Sequence, residues 1–230
     1  MVTEKLTSKK IKAFLLANGA SIVGIANLEN IDEKIGCDIE EFQKYTRAIS
    51  IGIGLSDEII NGIISGPTMV YADHYREINS KLDEIAGNLA RELIEKGFET
   101  LVIPASKRYD QTKLAAIFPH KTAAILSGLG WIGKSALLIS FEHGPRIRLV
   151  TVLTNADLEA DTLQKISQCG DCTNCVDACP PKAITGKLWT YGMAREEIFN
   201  AYKCLDHLKI QKKRVGETIC GICIAVCPYG

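Results

Sequence analysis

The sequence predicts an α+β protein made of two domains that meet near residue 160. Helix-like and strand-like apolar patterns alternate through the part of the chain before residue 155. Eight of the nine cysteines, in contrast, lie between Cys169 and Cys227. Apolar residues make up 47% of the chain, which is enough for a hydrophobic core. We therefore expect an α+β domain over residues 1–160 and a smaller cysteine-rich domain over residues 161–230.

The longest predicted helix lies between Tyr71 and Gly97, where one apolar stripe recurs at spacings of three or four residues. The members of this stripe are Ile78, Leu82, Ile85, Leu89 and Leu93. Shorter helices are predicted for LTSKKIKAFLLANG, which Gly19 ends, and for HKTAAILSGLG. A further short helix is expected after Ser56, which has the character of an N-cap.

Strands are predicted for SIVGIANL, RAISIGIGLS and ETLVIPA. Two further strand-like segments, SALLIS and RIRLVTVLT, flank FEHGP, whose Gly-Pro pair indicates a turn. We expect these two segments to pair as an antiparallel hairpin. Helices packed on a sheet that contains such a hairpin are typical of the α+β class.

Charge and hydropathy provide no argument for several classes of partner. Lys and Arg together number 27, as do Asp and Glu, so net charge gives no argument for binding nucleic acid or an anionic membrane. The first ten residues lack the apolar core of a secretory signal, and no apolar run is long enough to span a bilayer. The sequence thus predicts a cytoplasmic protein without a membrane partner. We expect Cys37, which is remote from the other cysteines, to be a small buried side chain rather than a nucleophile.

The first cysteine run has the spacing of a bacterial 4Fe–4S site. Cys169, Cys172, Cys175, Cys179 and Pro180 form C-x2-C-x2-C-x3-C-P, in which the fourth cysteine serves the other of two clusters. Three cysteines placed three residues apart allow one tight loop to bind three corners of a cubane. Clustered cysteines in a cytosolic chain also favour metal over disulfides.

The second run, C-x2-C-x3-C-P, lacks a first cysteine, because Glu217 stands at that place. The missing ligand is then expected to be Cys204, the other cysteine of this domain. Exchange of the Cys-Pro cysteines gives the first cluster the ligands Cys169, Cys172, Cys175 and Cys227. It gives the second cluster the ligands Cys179, Cys204, Cys220 and Cys223. Two zinc sites of four cysteines are the alternative, although zinc sites usually pair two C-x2-C knuckles across a longer gap.

The segment GLGWIGKS satisfies the patterns of both a dinucleotide-binding turn and a P-loop. Both motifs need a strand before the glycines and a long helix after them, so that a helix N-terminus faces the phosphate. Here a helix-like segment comes before and a strand-like segment after. We therefore expect either a tight turn or a backbone pressed against a flat cofactor, because glycines permit close approach.

Together these features resemble the epoxyqueuosine reductase family, which is related to the reductive dehalogenases. One part of the resemblance is G-L-G-W-I-G-K at residues 128–134, followed by S-A-L-L-I. Another is the cysteine pattern, including the isolated Cys204. The third is the helix around Asp73-His74-Tyr75, which is similar to the family's Asp-Tyr-His motif with the last two residues exchanged. The resemblance covers most of the chain.

The resemblance implies an α/β sandwich-like N-terminal domain of the flavin-reductase and cobalamin-processing type, beside a ferredoxin-like domain with two 4Fe–4S clusters. The clusters would pass single electrons to a cobalamin-type cofactor that has no protein histidine on its cobalt. The residues implied to line the cofactor pocket are Asp73, His74, Tyr75, Gly128, Gly130, Trp131, Gly133 and Lys134. On the alternative interpretation, His74 and Tyr75 are polar residues at a helix start and Lys134 is a solvated lysine.

The sequence departs from the family in two places. The family's expected acid is an aspartate shortly before G-L-G-W, whereas FPHKTAA places His120 there. His120 is therefore the candidate catalytic proton donor, with a structural histidine as the alternative. Epoxyqueuosine reductases also continue into helical repeats that help to hold tRNA. This chain ends three residues after Cys227, so we expect its tRNA-binding equipment to be reduced or absent.

The leading hypothesis is an iron–sulfur, corrinoid-dependent reductase. Its electron donor would be of ferredoxin or flavodoxin type, and its substrate a small molecule or a tRNA-linked group. One alternative is an electron-transfer protein, namely a ferredoxin-like domain fused to a domain without corrinoid chemistry. The other is a reductase that binds flavin, or nothing, in place of the corrinoid.

Overall fold

The structure is a computed structural model, which describes residues 6–29, 42–106, 112, 114 and 116–230. The expectation for Cys37 lies outside the described residues. The six described strands are β1 Ile22–Asn27, β2 Arg47–Gly54, β3 Thr100–Ile103, β4 Gly130–Ile132, β5 Leu138–Ser140 and β6 Ile147–Thr154. No helix among the described residues is long and apolar enough to cross a membrane.

The main sheet has four strands in the order β1-β2-β6-β3, and each neighbouring pair is antiparallel. The two central strands, β2 and β6, are eight residues long and almost completely buried. In their register, Ile49 lies opposite both Ile25 and Val152. These strands read as continuous apolar runs because both faces of the sheet are covered.

Helices cover both faces of this sheet. They are α1 Ser8–Ala17, α2 Asp57–Asn61, α3 Met69–Glu95, α4 His120–Leu126, α5 Asn174–Ala178, α6 Arg195–Ile198, α7 Ala201–Val215 and α8 Ile222–Ala225. α1 and α3 pack on the face that carries Ile49, Ile51 and Val152, whereas α4 packs against the opposite face. The alternation of side chains along each strand produces these two separate cores. The α+β prediction is confirmed.

α3 is the long helix that the apolar stripe predicts. It begins where the Thr68 side chain accepts a hydrogen bond from the Tyr71 backbone N–H, and it ends before Gly97, whose φ is +89°. The predicted stripe residues are all buried. They pack on β2, β3 and β6, so the helix N-terminus is held at one end of the central strands.

The predicted hairpin between SALLIS and RIRLVTVLT is wrong. β5 pairs with β4 in a separate two-stranded sheet, and β6 lies between β2 and β3. The chain does turn at Gly144, whose φ is +51° and whose N–H bonds to the Ser140 carbonyl. β5 is only three residues long and offers a short partner. β6 carries apolar residues on both faces, and a central position in the sheet buries both of these faces.

The cysteine-rich region packs into the cores on both faces of the sheet. Val215, Ile219 and Ala225 are buried in one cluster with residues of α3. Trp189 and Ile198 are buried in one cluster with residues of β6 and α4. The chain from residue 155 to 165 contains no helix or strand, and Asp161 fastens it to β1 by accepting the Ile25 N–H at 2.8 Å. The domain boundary near residue 160 stays a prediction.

We expect Leu82→Ala to lower the free energy of unfolding by about 2–5 kcal/mol, because Leu82 is fully buried in the α3 interface with the sheet. Glu84→Ala, on the exposed face of the same helix, is the control and should change stability by less than about 0.5 kcal/mol. Denaturant unfolding of the two variants measures the difference. Equal effects would contradict the assignment of the buried face.

Candidate metal centre and adjoining polar site

Four cysteines surround one cavity in the C-terminal region. They are Cys169, Cys172, Cys175 and Cys227, the set that the exchange of Cys-Pro cysteines predicts for the first cluster. Three of these residues come from the loop before α5 and from α5 itself, and Cys227 follows α8. Lys134, Ser135 and Ile139 of the first domain line the same cavity. The structure thus closes this site with residues that are distant in sequence.

The other four cysteines form an adjoining group. Cys220, Cys204 and Cys179 all act electrostatically on Cys223, as does Cys175 of the first group. Cys204 lies in the first turn of α7, where Asn200 caps the helix by accepting the Lys203 N–H. Cys179 follows α5, and its Sγ accepts a hydrogen bond from the Ala183 N–H at 3.3 Å. The two groups of cysteines are therefore neighbours.

The surroundings of these thiols oppose ionisation. Burial raises the pKa of Cys175 to about 11, with further contributions from Cys169, Cys227 and Cys172. Burial raises the pKa of Cys223 even further, although the residue keeps some exposed surface. A thiolate ligand needs a compensating positive charge in such a setting, and a bound metal supplies it.

Zinc and a cubane make different demands on cysteine ligands. A tetrahedral zinc site requires four ligands about 2.0–2.3 Å from one centre, whereas a cubane takes one thiolate at each of four separate iron corners. Within the described ranges, no three His, Cys, Asp or Glu side chains are placed so that they could hold one ion together. The C-x2-C-x2-C-x3-C-P spacing is typical of a 4Fe–4S site.

The glycine motif lies against the first cysteine group. A Cβ on Gly130 would come 2.0 Å from the Ile139 carbonyl oxygen, and one on Gly128 would come 2.3 Å from that of Thr162. A Cβ on Gly133 would lie 3.5 Å from Cys169 Sγ. The glycines thus permit close approach of protein backbone. The motif contains β4 and the start of the tight turn that leads to β5.

Trp131 and Lys134 of the motif are both buried. The Trp131 ring packs edge-on against Tyr229, with ring centroids 5.1 Å apart, and its indole N–H has no partner among the described residues. Lys134 Nζ donates to the Cys172 carbonyl oxygen at 2.9 Å. Both residues therefore contact the region of the first cysteine group, although they are far from it in the sequence.

The Asp73-His74-Tyr75 segment lies in the first turns of α3, and its three side chains have different surroundings. Asp73 is exposed and pairs with Arg76. His74 Nε2 accepts the Ser56 N–H at 3.1 Å, which helps to fix the start of α2. Tyr75 points to the sheet edge, where its hydroxyl lies 2.5 Å from Ser106 Oγ.

Tyr75 belongs to a polar cluster centred on Arg148. The Arg148 guanidinium stacks 4.5 Å from the centroid of the Tyr75 ring and donates to the Tyr75 hydroxyl at 3.3 Å. It also donates to Asn79 Oδ1 and to the Ala105 carbonyl. No ion pair between Arg148 and a carboxylate is found in the described part of the chain. The cluster thus presents a positive charge held by neutral groups.

The sequence analysis missed Arg148. The signal was present in RIRLVTVLT, because the two-residue period of a strand places Arg148 on the same face as Val150 and Val152. A charged residue on an apolar face usually needs a partner or a function. Lys121 was also missed. Its ammonium donates to the Ala136 carbonyl in the β4–β5 turn, and burial lowers its pKa to about 8.

His120 lies at the edge of the Arg148 cluster, at the start of α4. Its Nδ1 is 2.9 Å from Thr151 Oγ1, and its Nε2 is 3.1 Å from the Pro104 carbonyl oxygen. Because a carbonyl only accepts, Nε2 carries the proton and Nδ1 accepts from the Thr151 hydroxyl. Burial, followed by the nearby Arg148 charge, lowers the pKa of His120 to about 4, although the Pro104 contact opposes the shift.

The catalytic role of His120 stays a prediction, and its surroundings favour the structural alternative. The ring is neutral at physiological pH, and both nitrogens already have partners. The Tyr71 ring lies beside the second cysteine group, because a Cβ on Gly221 would come 3.0 Å from it. Tyr75 and His120 both contact the segment after β3, through Ser106 and the Pro104 carbonyl, whereas the glycine motif lies at the first cysteine group.

The fold and the eight cysteines define the class of this protein: an iron–sulfur protein whose cluster domain packs on an α+β sheet. Residues 168–230 match the family model described as a 4Fe-4S double cluster binding domain. The chain is related in sequence to the epoxyqueuosine reductases, as the sequence features predict. It is 32% identical over 168 residues to the enzyme of Lactococcus garvieae, and 34% identical over 122 residues to that of Gloeobacter violaceus.

These matches cover 68% and 48% of this chain, but only 42% and 35% of the two relatives. The chain therefore spans less than half the length of these curated relatives. A B12-dependent reductive dehalogenase matches 99% of this chain and 33% of its own, with a TM-score of 0.73 and 19% identity. The epoxyqueuosine reductase of Streptococcus thermophilus matches 96% of this chain and 65% of its own, with a TM-score of 0.58 and 19% identity. Both solved structures share this fold.

We expect the stability of the protein to fall as the pH is lowered from 7 to 5, in part because of His120. The unfolded histidine binds a proton near pH 6.5, whereas the folded one does so only near pH 4. The unfolded state therefore gains protons first, which costs about 1–2 kcal/mol by pH 5. This contribution is fully present above the unfolded pKa and is lost on acidification.

His120→Gln should reduce this dependence, and denaturant midpoints measured at pH 7 and pH 5 without oxygen test it. His143→Gln, a histidine variant outside the cluster, is the control. An unchanged pH dependence in His120→Gln would contradict the neutral, buried assignment.

Proposed function

We propose that the protein is a reductase in which two 4Fe–4S clusters pass single electrons to a site beside Tyr75 and Arg148. The observation that carries this proposal is the contact of Tyr71 with the second cysteine run: a Cβ on Gly221 would come 3.0 Å from the Tyr71 ring, and Tyr75 packs against the same buried cluster as Tyr71. A redox centre near the half-buried Arg148, which forms no ion pair with a carboxylate among the described residues, suits the reduction of a bound group. The kinship with epoxyqueuosine reductases supports the same class of activity.

The ligands of the first cluster in this proposal are Cys169, Cys172, Cys175 and Cys227. Those of the second cluster are Cys179, Cys204, Cys220 and Cys223. The adjoining cysteine groups support both sets, because the exchange of Cys-Pro cysteines is typical of two-cluster ferredoxins. The first cluster would accept electrons from outside, since the neighbouring Gly170 and Asp171 are exposed. The second cluster would deliver them past Tyr71.

We further propose a cobalamin-type cofactor at the Arg148 cluster. Related solved structures include a dehalogenase whose mechanism is described as B12-dependent. The groups present fit such a cofactor: Arg148, Tyr75 and Ser106 offer hydrogen-bond donors to polar substituents, and His120 is uncharged. When bound, the corrinoid would supply reduced cobalt as the reductant of the substrate. Arg148 would orient an anionic or amide group, and the surrounding apolar core would exclude water.

One relative supports a proposal for the substrate class. One solved epoxyqueuosine reductase holds a tRNA-Tyr stem loop with the epoxyqueuosine modification. We propose a tRNA-linked substrate of this kind for the present chain, with a small molecule as the alternative. The electron donor would be a ferredoxin or a flavodoxin, because both deliver single electrons of low potential.

Cys204→Ala should disrupt the second cluster, because it removes the single ligand that lies outside the two cysteine runs. The anaerobically prepared wild type is expected to contain about eight iron atoms per chain, as two cubanes require. The variant should lose about half of this iron and one of two cluster signals in electron paramagnetic resonance.

Cys37→Ala, which removes the ninth cysteine, is the matched control and should retain both clusters. Two intact 4Fe–4S clusters in Cys204→Ala would remove this residue from the ligand set. Zinc in place of iron in the native wild type would contradict the cluster proposal as a whole.

Reconstitution with cobalamin under anaerobic conditions should give about one cobalt per chain and a shifted corrinoid spectrum. Arg148→Met should weaken this binding, whereas Arg91→Met, a change on the exposed face of α3, should not. Binding of flavin instead would support the flavin-dependent reductase. Binding of neither cofactor, with both clusters intact, would identify the chain as an electron-transfer protein.

A further inference from the structure

Lys134 is a buried lysine for which the described residues offer no carboxylate partner. Only 6% of its surface is exposed, whereas lysines are almost never buried unless they are paired. Its Nζ donates to the Cys172 carbonyl oxygen at 2.9 Å. In the part of the chain that the structure describes, no Asp or Glu forms an ion pair with it. A buried ammonium in this condition costs several kcal/mol unless another negative charge is near.

The backbone around Lys134 fixes its direction. The Gly133 N–H bonds to the Leu137 carbonyl at 2.9 Å, and the Ala136 N–H bonds to the Gly133 carbonyl at 2.9 Å. This turn joins β4 to β5, and the Lys121 ammonium stabilises it by donating a hydrogen bond to the Ala136 carbonyl. Lys134 therefore extends from a rigid turn into the cavity that the first cysteine group surrounds.

A cluster in this cavity would supply the negative charge that the described residues do not provide to Lys134. Four thiolates and a cubane carry a net negative charge, and this charge increases by one when the cluster is reduced. Net charge and hydrogen bonding around the sulfur atoms set the reduction potentials of such clusters. A fixed positive charge at this place stabilises the reduced form more than the oxidised form.

The other buried cation near this site is already paired. Arg146, which influences Cys227 electrostatically, donates to Asp57 Oδ1 at 2.8 Å and to Asn61 Oδ1 at 2.9 Å. Its charge is therefore largely balanced by a protein carboxylate. Lys134 has no such balance among the described residues, which makes it the more effective partner of the cluster.

We propose that Lys134 is the charge partner of the first cluster and raises its reduction potential, so that this cluster accepts electrons readily from an external donor. This inference rests on the proposed cluster assignment. In each step the cluster takes up one electron from a one-electron protein donor and passes it to the second cluster. Lys134 forms and breaks no bond in this step, because it acts on the cluster through its charge alone.

The test is an anaerobic redox titration of the cluster-loaded chain, followed by electron paramagnetic resonance. Lys134→Met removes the charge at similar volume, and Lys134→Gln keeps a donor for the Cys172 carbonyl. Both variants should lower the equilibrium constant for reduction of the first cluster about tenfold, which corresponds to about 59 mV for one electron. Lys134→Arg should retain the wild-type potential, and the second cluster should change little in all three variants.

Lys182→Met is the matched control. The Lys182 ammonium also donates to a carbonyl of the cysteine loop, that of Asp177 at 2.7 Å, but the residue is exposed. Solvent screens its charge, so its removal should leave the potential unchanged. Equal shifts in Lys182→Met and Lys134→Met would overturn the specific role of Lys134.

A merely structural lysine would give a different result. If Lys134→Gln held the first cluster at the wild-type potential, the inference would be overturned, because only the charge had been removed. A wild type that contains no iron would instead overturn the proposed function, before the variants are compared. The two failures are thus distinguishable by the iron content of the wild type.

Discussion

The structure depends on the balance of charge around its thiols. Desolvation raises the pKa of Cys175 and Cys223, so that the protein surroundings alone hold these thiols neutral. Bound iron would hold them as thiolates and would link the loop before α5, the first turn of α7 and the region of α8. Metal binding would then stabilise the folded form of this region. The α+β sheet, with its own buried core, provides the platform on which this event occurs.

The β4–β5 turn packs against the first cysteine group and so connects it to the sheet. Gly130 brings two backbone segments together where any Cβ would collide with the Ile139 carbonyl. Gly133 leaves space beside Cys169, and Lys134 reaches the carbonyl of Cys172. A glycine-rich sequence that matches phosphate-binding patterns therefore serves here as a mechanical and electrostatic support. The residues that it contacts in the folded protein determine this role, and a sequence motif does not identify those contacts.

The periodic and compositional parts of the structure were predictable from sequence. The α3 stripe, the Ser56 cap and the two cysteine runs all arise from short-range rules, and the structure has α3, the cap and the neighbouring cysteine groups. The pairing of β5 with β6 was predicted wrongly, because a turn signal at Gly144 does not specify which strands meet. Long-range packing decided that question.

The site was less accessible to sequence analysis for the same reason. His120 was identified from its position relative to the glycine motif, but its partners come from β6, which contains Thr151, and from the segment after β3, which contains Pro104. Arg148 was missed because its contacts with Tyr75 and Asn79 form only when α3 packs on β6. A site that is formed by residues of several helices and strands is therefore difficult to predict from the sequence of any one of them.

The four-residue strand β3 lies at an edge of the sheet and pairs only with β6. The three residues that follow it hold three different members of the polar site, since Pro104 contacts His120, Ala105 contacts Arg148 and Ser106 contacts Tyr75. Fraying of this short ladder would therefore dismantle the site while the central strands stayed folded. The shortest strand of this sheet thus controls whether these contacts persist, which makes local melting, rather than global denaturation, the natural limit on their lifetime.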